Sequence, residues 1–142
     1  MTKICFLIRV LCIYILFISS GFTAETNYFD NGKILFDKKK FQKSKIFFEK
    51  DIVFSPQSEK SYLYLAKIFN ENDNDQEEEI NLSNVLLLNP QNDEAIYMLA
   101  ILKIKQSDYN EAKELIKKFN LVCESFCSKR AEIQEKFDKL IP

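Results

Sequence analysis

Ser55-Pro56-Gln57 returns as Asn89-Pro90-Gln91, 34 residues further along the chain. A fixed internal period of this length is the mark of a repeat architecture and decides the fold before any single element is read. Carried through the chain, the same step aligns Tyr28, Tyr62 and Ile96, then Asn31, Leu65 and Leu99, then the small residues Gly32, Ala66 and Ala100. It pairs Phe48, Leu82 and Ile116, sets Ser44 with Ala112, and brings Phe41 into register with Tyr109. One matching dipeptide is chance, but this many columns of matching chemistry are not.

Each unit reads as two helices. In the third, Ala95, Leu99 and Leu102 recur at helical spacing, as do Ala112, Leu115, Ile116 and Phe119. Gln106-Ser107-Asp108 lies between the two runs and offers a cap for the second. In the first unit, Tyr28 to Phe36 is followed by Lys38-Lys39-Lys40 and then Phe41 to Val53. In the second, Tyr62 to Phe69 leads through Asn70-Glu71-Asn72-Asp73-Asn74-Asp75 to a helix ending Val85-Leu86-Leu87-Leu88. Pro56 and Pro90 close the second helices, because proline cannot continue the hydrogen-bond ladder. The chain has 142 residues, 46% of them apolar and 29% charged, enough for one cored domain. Only 2 Gly and 3 Pro leave too few turn residues for an all-β fold and no glycine cluster for a phosphate loop. There is no His, so imidazole acid–base chemistry and His-containing triads or zinc motifs are excluded. A balance of 20 basic against 21 acidic residues speaks against a nucleic-acid partner.

The pattern resembles the tetratricopeptide repeat family. Unit 25–58 supplies Tyr28, Gly32, Leu35, Phe41, Ser44, Phe48 and Pro56; unit 59–92 supplies Tyr62, Leu65, Ala66, Phe69, Leu82 and Pro90. Unit 93–126 supplies Ile96, Leu99, Ala100, Tyr109, Ala112, Ile116 and Phe119. Four positions depart from the family pattern: Asp75 and Glu78 replace an aromatic and a small residue, Lys103 replaces a large apolar one, and Glu124 stands where proline belongs. The departures at 75 and 78 predict a looser second helix pair at its turn. The resemblance implies an all-α, right-handed superhelical solenoid of three helix pairs. It is closed by a capping helix over 128–141, with Ile133, Phe137, Leu140 and Ile141 on one face.

Residues 1–24 read as a targeting segment. Lys3 and Arg9 flank the nine-residue uncharged run Val10 to Ile18, and Ser19, Ser20, Gly21, Thr23 and Ala24 follow it. Nine apolar residues fit a secretory core and fall short of the ~20 that span a bilayer. Cleavage after Ala24 or Gly21 is expected. The alternative is an uncleaved anchor, with Ile4 to Phe17 spanning and Arg9 reaching back to the interface. Leu11 before Cys12 does not fit a lipoprotein signal. Lys at 18 against Arg at 2 suggests an AT-rich coding genome and fits a bacterial periplasmic protein, or one held at the inner membrane and facing the periplasm. Membrane contact is then expected only through residues 1–24, if they are retained.

The mature chain keeps Cys123 and Cys127, which an oxidising compartment can join into a structural disulfide. Two cysteines lack the four ligands of a zinc site, and their spacing is not the CxxC of redox catalysis. Glu77, Glu78 and Glu79 point in successive directions from a helix start and suit a solvated face and the helix dipole. No catalytic residue, metal, cofactor or small-molecule substrate is expected. In the resembled family, the concave face made by the first helix of each pair binds peptides. This places Phe29, Lys33, Phe36, Asp37, Leu63, Lys67, Asn70, Tyr97, Ile101, Ile104 and Lys105 in the groove. A clamp for an EEVD-like acidic tail is not expected, since Phe29, Lys33, Tyr64, Glu94 and Met98 stand at its positions. The expected function is therefore a non-enzymatic interaction scaffold of the cell envelope that holds a peptide or helix of another protein. A small thiol-redox accessory protein using Cys123 and Cys127, or a subunit that contributes its convex surface to a larger complex, are the alternatives.

Overall fold

The computed structural model describes residues 27–140; the expected targeting segment, residues 1–24, lies outside them. Seven α-helices follow one another: α1 (Tyr28–Asp37), α2 (Phe41–Phe54), α3 (Glu59–Glu71), α4 (Asp75–Leu88), α5 (Asp93–Lys105), α6 (Tyr109–Val122) and α7 (Arg130–Asp138). A short 3₁₀ turn, Cys127–Lys129, precedes α7. The odd-numbered helices α1, α3 and α5 are the first members of three antiparallel pairs, and each pair packs on the next. The result is the all-α solenoid expected, closed by α7 against α5 and α6.

The 34-residue period is written into the backbone as well as the side chains. Lys39, Asp73 and Ser107 take left-handed φ angles of 55, 52 and 63° at the turn inside each pair. The following amides close the same bond in each unit: Lys40 N–H to Leu35 carbonyl, Asn74 to Phe69, and Asp108 to Lys103, each at 2.9 Å. This is the left-handed cap that ends many helices, here made without glycine. Asn74 and Asp108 then cap α4 and α6, accepting from the backbone N–H of Glu77 and Glu111 at 3.2 and 3.1 Å. Asp108 thus does the work expected of the segment 106–108. Lys40, at the same register before α2, makes no side-chain cap.

Small residues let the paired helices approach. Gly32 sits under the Phe48 ring, where a Cβ would stand 2.7 Å from the ring edge, so no larger residue fits without moving the aromatic. The Ser44 hydroxyl closes the same contact by donating to the Gly32 carbonyl at 2.7 Å. Ala66, Ala100 and Ala112 are fully buried at corresponding positions. One core runs from Leu63 to Phe137 through the second and third units and α7, and a smaller one gathers Phe48, Leu65 and Ile68 between the first two units.

The second pair is not opened by its departures. Glu78, at the register of Ser44 and Ala112, is 1% exposed, and Asn70 of α3 donates its amide to both carboxylate oxygens at 3.2 and 3.0 Å. Burial pushes the Glu78 pKa above its ordinary value, against the opposing pull of the Asn70 bond. Lys103 is similarly buried and is satisfied by Glu79 at 2.6 Å and Glu111 at 3.1 Å, tying α5 to both α4 and α6. Burial alone lowers the pKa of such a lysine, but the two carboxylates together overcome it and raise it.

Candidate functional site

The face formed by α1, α3 and α5 is built by contacts between successive first helices. Tyr64 of α3 meets the rings of Phe29 and Phe36 edge-on, with centroids 5.6 and 5.0 Å apart, and leans on Phe48 at 5.1 Å. Such tilted and edge-on pairs are the favoured aromatic geometries. Lys67 reaches from α3 to Glu94 of α5 at 2.9 Å, with its ammonium 4.8 Å from the Tyr64 ring centre. Lys33 pairs with Asp37 at 3.1 Å, and Lys105 with Asp75 at 2.7 Å and Asp73 at 3.3 Å. Each lysine expected in the groove therefore already faces a carboxylate.

The expected groove residues divide into two groups. Phe29 and Phe36 belong to the aromatic joint between the first two units, and Leu63 and Ile104 are buried at 8% exposure. Asn70 is turned to Glu78. Tyr97 packs on Phe119 and Phe126 and donates its hydroxyl to Glu132 of α7 at 2.8 Å. Burial first, and then the Glu132 bond, push the Tyr97 pKa well above the usual phenol value. Glu132, receiving bonds from Lys129, Tyr97 and Lys136, is held down to about 2. Tyr97 thus anchors the cap. Only Leu63 and Ile104 of the expected residues are buried; Phe29, Phe36, Lys67, Tyr97 and Ile101 are half-buried, and Lys33, Asp37, Asn70 and Lys105 are exposed.

Three polar clusters were not anticipated. Asp51, at the end of α2 and 9% exposed, accepts from the Ser58 and Ser61 hydroxyls at 2.5 Å each. An open cleft of about 590 Å³ lies beside it, bounded by Phe29, Asp51 and residues 55–58. Asp93, at the start of α5, receives the backbone N–H groups of Glu124, Ser125 and Phe126 at 2.9, 2.7 and 2.7 Å, and the Ser125 hydroxyl at 3.1 Å. Burial works against this carboxylate, but the four donors together hold its pKa below the ordinary value. Glu59, one repeat earlier, accepts from Asn89 and Asn92 at 3.0 and 2.5 Å. In both units an acid opening the first helix clasps the loop that ends the second, and the 34-residue spacing of Glu59 and Asp93 was the available signal. The Asp93 clasp holds the segment between Cys123 and Cys127. Their sulfurs meet at bonding distance with Cα atoms 5.2 Å apart, where the chain has left α6 and not yet entered α7.

Three antiparallel pairs, period 34, small residues at the pair contacts and a closing helix define a tetratricopeptide-like solenoid. Solved structures share this fold. The Arabidopsis OM64 tetratricopeptide domain superposes with a TM-score of 0.73 at 18% identity, covering 80% of this chain and 93% of that one. The first such domain of Spaghetti (RPAP3), bound to the HSP90 peptide SRMEEVD, gives 0.71 at 13% identity over 80% and 90% of the two chains. The CopN-Scc3 complex gives 0.67 at 16% identity over 90% and 74%. No family model matches the chain, and no curated protein matches it in sequence. The likeness is one of fold.

Proposed function

We propose that the protein is a non-enzymatic interaction scaffold of the bacterial cell envelope that holds an apolar peptide or amphipathic helix of another protein against α1, α3 and α5. The observation that carries this is the pairing of Lys33, Lys67 and Lys105 with Asp37, Glu94 and Asp75. Three lysines already paired with carboxylates offer little to a carboxylate-rich tail of the kind named for the Spaghetti neighbour. Half-buried Ile101 offers apolar contact instead, and charge pairs at a rim contribute register more than affinity. Affinity capture from the native envelope, with mass spectrometry of what is retained, identifies the partner. Lys67→Glu combined with Ile101→Ala is expected to weaken its binding by about 1–2 kcal/mol, roughly 5- to 30-fold, with helix content unchanged. Undiminished binding would move the site to another surface. Tyr97 is left intact because its truncation also releases α7.

The cysteine pair is read as a staple. Cys123 caps the C-terminal end of α6, the negative end of the helix dipole, and the Asp93 carboxylate binds the residues after it. Both features raise the cost of a thiolate, whereas redox centres lower it.

Export through residues 1–24 is part of the same proposal, with residence in the periplasm or retention at the inner membrane. Among the described residues no helix is long and apolar enough to cross a membrane.

A further inference from the structure

The step of 34 that aligns the units carries Asp51 onto Val85 and Phe119, both apolar and fully buried. It carries Ser61, whose hydroxyl meets Asp51, onto Ala95, also fully buried. The junction between the first two units therefore holds a carboxylate and a hydroxyl where the next junction holds Val85 and Ala95. A carboxylate withdrawn this far from water loses hydration that its neighbours must replace.

At Asp51 the replacement is one-sided. The Ser58 and Ser61 hydroxyls both donate to Oδ2, while Oδ1 receives no hydrogen bond among the described residues. No basic residue lies in the last turn of α2, where Asp51 stands. Among the described residues no fully buried side-chain oxygen is left without a partner, so Oδ1 is reached from outside. The open cleft of about 590 Å³ that Asp51 lines is the way in.

The walls of the cleft suit a long cationic side chain. Phe29 and Pro56 give apolar surface for methylene groups, and Ser55, Gln57 and Ser58 give a polar rim. The Phe29 ring already has an ammonium over it, that of exposed Lys60 at 5.9 Å from the ring centre. The surrounding field favours a cation as well. Asp30, Glu59 and Glu94 at the starts of α1, α3 and α5, with Glu124, outnumber Lys50 and Lys60 along this border. Only one oxygen of Asp51 is open, which suits the compact ammonium of a lysine better than the two-pronged guanidinium of an arginine.

We propose that the cleft beside Asp51 receives a lysine side chain of the bound partner, with its ammonium on Oδ1 and its methylenes along Phe29 and Pro56. Phe29 borders the cleft and also meets Tyr64 on the face of α1 and α3, so this lysine projects from the end of a segment lying in the groove. The partner as source of the lysine rests on the interaction reading above. The site itself rests on Asp51 and the cleft.

Three blocked amino acids, the acetylated methylamides of lysine, norleucine and arginine, are titrated into the isotope-labelled full chain in a non-ionic detergent and followed by NMR. Saturable amide shifts are expected at Phe29, Ser55, Gln57 and Ser58 with the lysine compound, and binding about tenfold weaker with uncharged norleucine. Asp51→Asn, with helicity checked by circular dichroism, should remove the advantage of lysine over norleucine. Lys60→Gln takes a like charge from the mouth and should tighten the lysine compound by about two- to threefold. An equal response to lysine and norleucine, or none to either, overturns the inference without recourse to a variant. A tighter fit for the arginine compound overturns the assignment to lysine, and shifts with calcium chloride alone overturn it in favour of a metal. Binding that appears only after Lys60→Gln makes this chain's own lysine the occupant and overturns the partner's. Asp51→Asn is also tested on the partner recovered by affinity capture, where binding about tenfold weaker is expected. Undiminished capture, with the lysine compound still bound by the wild type, makes the ligand a free small cation and overturns the partner as its source. If Lys67→Glu with Ile101→Ala leaves capture intact while Asp51→Asn weakens it, the groove reading fails and the cleft stands.

Discussion

Glu78 occupies the register at which the other units place Ser44 and Ala112, and it is buried where they are. Its raised pKa fixes the sign of a pH dependence. A carboxyl group whose folded pKa lies above its ordinary 4.5 contributes stability that is complete below that value and lost as pH rises through the folded value. Glu78→Gln is therefore expected to stabilise the protein by about 1 kcal/mol at neutral pH, by removing an incompletely compensated buried charge. The gain should vanish below about pH 4.5, where Glu78 is itself neutral; urea unfolding at several pH values measures it. Asp93 has the opposite sign. Its depressed pKa supplies stability above the ordinary 3.8 that is lost as pH falls through the folded value. Asp93→Ala leaves three backbone donors without their acceptor and is expected to cost about 1–3 kcal/mol at neutral pH. Both residues were visible as letters, yet neither role was legible. Glu78 reads as a misfit until Asn70 is seen to turn toward it, and Asp93 reads as an ordinary acidic first turn until the loop returns to it.

At the scale of elements, the three turns inside the helix pairs are alike in backbone and unequal in caps. Asn74 and Asp108 bond the third residue of the helices they open, while Lys40 offers a charge of the wrong sign for a helix start. Lys40→Asp should add the missing cap and raise stability by about 1 kcal/mol, read as a higher urea midpoint with unchanged slope. The link between α6 and α7 is held twice, by the Cys123–Cys127 ring and by Asp93. Chain-entropy arguments give a five-residue ring about 2 kcal/mol. Replacing both cysteines by Ser should lose about that much or less while leaving partner binding in place, because the Asp93 clasp persists. Unchanged stability, with disulfide-exchange activity present in the wild type and abolished in the double mutant, would instead favour the redox reading. The helices themselves were legible because apolar spacing and proline positions carry them. The 3₁₀ turn before α7 was not, because its form depends on the bridge and on Asp93, which approaches from 31 to 33 residues away.

Taken whole, the molecule is a line of units in which helices meet sequence neighbours and the matching helix of the next unit. That design made the fold readable from a period, since every column of the repeat is one packing contact. The groove was less readable. Repeat register tells which helix face a residue occupies, but not that Tyr97 is claimed by α7 or that Phe36 is claimed by Tyr64. N-terminal sequencing of the natural protein decides the fate of residues 1–24: a start near Phe22 or Glu25 means removal, and Met1 with resistance to alkaline extraction means an anchor. The same neighbour-to-neighbour construction has a mechanical consequence. Under tension applied at the two ends, no strand or clasp among the described residues reaches past the neighbouring unit to share the load, so the units should peel away in turn rather than rupture together. Each 34-residue unit released lengthens the tether by about 12 nm of contour, and single-molecule pulling should record a staircase with that spacing. The end guarded by α7 should yield at higher force than the end beginning at α1, and reduction of the Cys123–Cys127 bridge should narrow the difference.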